Sequence, residues 1–188
     1  MKVRRRHPAA LAPPASRVRL IVLGSVDRGD DALGPLAVAE LSPDVWPLVE
    51  VRLSSSLDVL DLADVPEGGA CLVVDAARGL APGTIAFIPF QRFLGRNAGR
   101  LPSPRSSHEV PLPDLVRLVK VLRGDLPRGG FLVAGGLHFG QGELPSREVA
   151  LAIPGLVTAI EAAIGRLSRR RRTAPRPNPV PVPAALVH

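Results

Sequence analysis

The chain has 188 residues, 46% of them hydrophobic and 22% charged, which suits one globular domain with a sizeable core. Its formal net charge of +7 is unevenly spread: residues 1–17 and 168–188 each hold five basic residues and no acid, leaving 14 basic against 17 acidic residues in 18–167, a balance of about −3. The single cysteine, Cys71, excludes an intramolecular disulfide and a cysteine zinc cluster, and no uninterrupted apolar run reaches the ~18 residues that a membrane span requires.

A soluble protein of the reducing cytoplasm is expected. Three arginines open the chain, but Ala9–Ala15 is too weakly hydrophobic for an export signal. Eight of the 21 prolines fall in the two end segments, and their alternation from Pro175 to Pro183 removes backbone donors and favours an extended, solvated chain. Residues 1–17 and 168–188 are therefore expected to be disordered basic tails around one domain at 18–167. A mildly acidic body argues against nucleic acid as the partner.

In chain order, Arg19–Leu23 is a β-branched apolar run that ends at Gly24 and predicts a buried strand. Helical spacing follows over Leu33–Leu41, with Pro35 in the first turn. Val49–Leu53 predicts a second strand and Leu57–Ala63 a short helix with Ser56 as N-cap. A third strand, Cys71–Val74, is expected to end at Asp75, and a fourth, Thr84–Ile88, follows the Pro82-Gly83 turn. Then come a helix over Pro113–Arg123, a strand over Phe131–Ala134 and a helix over Ser146–Leu167, which Pro154 is expected to kink or divide. This alternation predicts a single α/β domain: a mostly parallel twisted sheet of about five strands with helices on both faces.

Ligands of such sheets bind beyond the carboxyl ends of the strands, so the residues there carry the candidate chemistry. After the first strand, Gly24 to Gly34 holds three glycines and the pair Asp30-Asp31, in neither the phosphate-loop nor the dinucleotide pattern. Adjacent carboxylates repel unless a cation, a proton or a helix N-terminus intervenes; Asp30 as helix cap with Asp31 as metal ligand is one division, and both as caps another. Asp75 puts a carboxylate at the same sheet edge, with pairing to Arg78 as the structural alternative. Ser106-Ser107-His108-Glu109 leads into the Pro113 helix. Two carboxylates and one imidazole suit a borderline ion such as zinc or nickel and leave coordination positions open.

Gly29-Asp30-Asp31-Ala32-Leu33-Gly34, Val74-Asp75-Ala76 with Gly79 and Pro82-Gly83, and Ser107-His108-Glu109, in this order and with the late helix containing Ile153-Pro154, resemble the hydrogenase maturation endopeptidases over about 18–167. The resemblance implies an endopeptidase that removes the C-terminal extension of a nickel-containing hydrogenase large-subunit precursor after nickel insertion. Nickel then belongs to the substrate as a recognition element. Asp31, Asp75 and His108 match the family's metal-contacting positions and are implied to be the catalytic set, with Asp30 and Glu109 contacting substrate. The chain departs from the family pattern at Ser25, where asparagine is usual, at Val26 and Asp27, at Ser54-Ser55-Ser56, which replaces a glycine-rich stretch, and at His138. Two other readings are a non-cleaving adaptor that binds a metalloenzyme precursor, and a hydrolase with Cys71 or Ser107 as nucleophile.

Overall fold

The computed structural model describes residues 17–104 and 110–169. Its sheet contains β1 (Val18–Leu23), β2 (Val49–Ser54), β3 (Ala70–Arg78), β4 (Ile85–Pro89), β5 (Ser103–Pro104) and β6 (Arg128–Gly135), with helices α1 (Leu33–Ala39), α2 (Val59–Ala63), α3 (Leu112–Arg123) and α4 (Arg147–Arg169). The order is β2-β1-β3-β6-β4. The first four of these strands run parallel, β4 lies antiparallel on β6, and the two-residue β5 lies antiparallel on the end of β3. The expected mostly parallel α/β sheet is thus what the chain forms.

Side chains alternate between faces along each strand, and both faces are buried, which is why the central strands read as nearly continuous apolar runs. Leu20, Val22, Leu72, Val74 and Leu132 meet α1 and α4 through Leu33, Val149, Leu156, Ile160 and Ile164. Ile21, Leu23, Cys71, Val73, Phe131 and Val133 meet α2 and α3 through Leu62, Leu115, Val116 and Val119. Phe90 and Phe93 stand edge-on to Phe131, each with ring centroids 5.2 Å apart.

Several sequence expectations are corrected. The cap of α2 is Asp58, not Ser56: the Asp58 carboxylate accepts the Leu60 N–H at 2.7 Å while Asp61 accepts the Asp58 N–H at 2.9 Å, a reciprocal capping box. Asp75 does not end β3. The strand continues to Arg78 because β6 supplies paired backbone as far as Gly135 and β5 pairs with Ala77 and Arg78, so Asp75 is an interior strand residue. Pro154 does not divide α4, which runs from Arg147 to Arg169 with Pro154 on its solvent side. Among the described residues α4 alone has the length and mean hydropathy, 1.6, of a membrane span; its apolar stripe from Val149 to Ile164 is packed on the sheet while its opposite face is exposed, the pattern of an amphipathic helix.

One topological feature places the site. From β1 the chain moves outward to β2, then returns across β1 to β3. The order reverses between β1 and β3, and the crevice at such a switch point, beyond the carboxyl ends, is where doubly wound sheets bind ligands.

Candidate functional site

Asp31 and Asp75 flank this switch point. Val22 pairs with Val74, so β1 reaches Gly24 close to the level at which β3 presents Asp75. Asp75 is fully buried and Asp31 is 6% exposed. Gly24 has φ +115°, and a methyl on it would overlap the Asp31 carbonyl and lie 3.5 Å from the Asp31 carboxyl carbon. The first loop therefore folds back over the end of β1 only because that position lacks a side chain, and this places the Asp31 carboxyl beside the β1 terminus. The turn that carries it, Gly29–Ala32, packs against β3.

Asp30 goes elsewhere. The Gly29–Ala32 turn is a 3-10 helix, in which three residues per turn separate successive side chains by about 120°. Asp30 is fully buried, and no side chain caps α1. Its Oδ2 accepts the N–H groups of Leu137 at 2.7 Å and His138 at 2.9 Å, and its Oδ1 accepts the Ser146 N–H at 2.6 Å. Burial pushes its pKa upward, but the backbone N–H groups of His138, Leu137 and Ser146 outweigh this and hold it below the usual carboxylate range. The expected role of Asp30 as cap of the following helix is corrected: both oxygens are turned onto backbone more than a hundred residues away.

The segment after β6, of which the sequence reading marks only His138, is laced to the loop after β1. Gly29 donates to the Glu143 carbonyl at 2.9 Å, Asp30 to that of His138 at 2.7 Å, and Gly142 to that of Asp27 at 2.6 Å. The Asp27 carboxylate accepts from the Ser25 hydroxyl and the Gln141 amide, and the Ser25 bond leads in holding its pKa low. Thus Ser25 and Asp27, two of the unusual positions, build this lacing. His138 has an exposed side chain and acts through its backbone. Arg78 lies over the Phe139 ring at 5.3 Å. A signal was present: Gly135-Gly136 with Gly140 and Gly142 after an apolar run repeats the glycine-rich pattern that follows β1.

Ser106, Ser107, His108 and Glu109 lie outside the described residues. Among the described residues no three His, Cys, Asp or Glu side chains come together as a metal set. Cys71 is buried in the first half of β3, away from the carboxyl edge, and burial pushes its thiol far above the ordinary range, so it is inert core.

Neither a protein-family model nor a curated sequence matches the chain. Solved structures do. A [NiFe] hydrogenase maturation protease HycI from Thermococcus kodakarensis superposes with a TM-score of 0.55 at 22% identity, covering 79% of this chain and 92% of that one. An endopeptidase HycI from Escherichia coli gives 0.54 at 21% identity, covering 77% and 90%. The hydrogenase maturating endopeptidase HybD from E. coli gives 0.55 at 16% identity, covering 80% and 93%. At these identities the likeness establishes a shared fold.

Proposed function

We propose that the chain is an endopeptidase that trims the C-terminal extension of a nickel-containing hydrogenase large-subunit precursor in the cytoplasm, and that it recognises the nickel which the precursor carries. One observation carries the reading: two carboxylates, Asp31 at 6% and Asp75 at 0% exposure, lie at the switch point between β1 and β3 of a fold shared with hydrogenase maturation proteases.

Carboxylate oxygens from Asp31 and Asp75, with the imidazole of His108 as third ligand, suit the open coordination positions of a substrate-held nickel ion. Held at this edge, the substrate's nickel would bring the adjoining peptide alongside Asp31 and Asp75, where it would polarise the scissile carbonyl or activate a water; water would add to the carbonyl carbon, the C–N bond would break and the amine would leave with a proton. Glu109, adjacent to His108 in sequence, is the proposed contact for the extension.

The test incubates the full-length protein with nickel-loaded and nickel-free precursor and reads intact masses. Loss of a C-terminal fragment from the loaded form alone supports the proposal; unchanged mass with nickel-dependent binding supports the adaptor instead. Asp31→Asn, Asp75→Asn and His108→Ala are each expected to abolish cleavage while the circular dichroism spectrum stays that of the parent. Full activity in any one removes that residue from the set.

A further inference from the structure

We propose that Asp30 is a positioning residue: its carboxylate clamps the segment after β6 onto the turn after β1 and thereby sets the placement of Asp31. This rests on Asp31 being a site carboxylate, as read above.

Six bonds make the clamp. Three run from the N–H groups of Leu137, His138 and Ser146 to the Asp30 carboxylate, at 2.6–2.9 Å. Three more join the same segments backbone to backbone, through Gly29 and Glu143, Asp30 and His138, and Gly142 and Asp27. Asp30 Cβ packs under Gly136, where an added methyl would lie 3.0 Å from it. The anchor on the far side is firm, because Ser146 leads directly into α4, whose apolar stripe is packed on the sheet.

The chemistry requires a carboxylate. The three backbone N–H groups are donors and meet both oxygens, so both atoms must accept, and the Ser146 side chain adds a further hydrogen bond. In Asp30→Asn the amide nitrogen would face an N–H whichever way the group is turned, although the shape is unchanged. Charge-assisted bonds of this kind are about twice as strong as neutral ones. Asp31 follows immediately within the same 3-10 turn, with its own N–H on the Arg28 carbonyl at 3.1 Å. No freely rotating residue separates clamp from site carboxylate, so loosening one displaces the other.

The first measurement needs no variant. In native-state hydrogen exchange of the full-length protein, the amides of Asp30, Leu137, His138 and Ser146 are expected to be protected and to open together; fast, independent exchange overturns the clamp. Next, Asp30→Asn is expected to speed exchange at Leu137 and His138 by at least about tenfold and to shift the Asp31, Gly24 and Asp75 amide resonances. In the cleavage assay, well below its melting temperature, the variant should lose kcat by at least about tenfold while KM for the nickel-loaded precursor changes little. Unchanged Asp31 and Asp75 resonances with unchanged kcat would reduce Asp30 to a loop anchor and overturn the positioning role. A parent protein that cuts no precursor defeats the peptidase reading alone, since exchange and resonance shifts still decide the clamp.

Discussion

Two acids adjacent in sequence, Asp30 and Asp31, have different surroundings because a 3-10 turn directs their side chains apart. One meets three backbone donors and the Ser146 side chain; the other lies beside Gly24 at the switch point. The donors depress the Asp30 pKa below its usual 3.8, and the sign follows. An acid whose folded pKa is lowered stabilises the fold fully above its unfolded value and loses that contribution as pH falls through the folded one. Asp30→Asn should therefore be less stable than the parent at neutral pH, and the gap should narrow below about pH 4. Urea midpoints measured across that range test this, and a pH-independent gap would refute it. Cys71 gives the opposite case. A thiol raised by burial does not ionise in the native state, so native protein at pH 8 should resist alkylation and react only after denaturation, as mass spectrometry would read. Rapid native labelling would bring the thiol nucleophile back into consideration.

Strands and helices are found in the predicted order because apolar periodicity is a local property of the chain. Their ends are less local. β3 continues to Arg78 because Gly135 pairs with Ala77 and Ser103 with Arg78, and these are distant in sequence. The cap of α2 was missed for a different reason: serine and aspartate are both good caps, and the choice fell to Asp58 because Asp61, three residues on, returns the bond. Asp58→Ala should cost about 1 kcal/mol, read as a lower urea midpoint with an unchanged denaturant slope, whereas Ser56→Ala should cost little. A larger effect at Ser56 would contradict the assignment. Pro154 is accommodated because it faces solvent, opposite the stripe that holds α4 to the sheet.

For the molecule as a whole, the charge is best understood by region. The opposite arrangement, a basic patch over the crevice, would have pointed to a polyanion; here carboxylates stand at the carboxyl edge and the basic excess is at the chain's two ends. Helix α4 runs two residues past its expected end at Leu167, to Arg169. A truncation should therefore remove 1–16 and 170–188. This version is expected to keep its melting temperature and, with the precursor assay in hand, its cleavage rate. A lost rate with intact folding would show that the basic ends help capture the precursor.

Fold class, element order and the split of charge were legible in the chain alone, since each follows from residue type and short-range spacing. Which of Asp30 and Asp31 is held by distant backbone, and that the segment from Gly136 to Ser146 is laced to the turn after β1, were not. Those depend on bonds spanning more than a hundred residues. Only when β3 lies between β1 and β6 do the loops leaving β1 and β6 come within reach of each other. Local sequence carries no record of that adjacency, and the carboxylate that meets three distant backbone donors is buried by it.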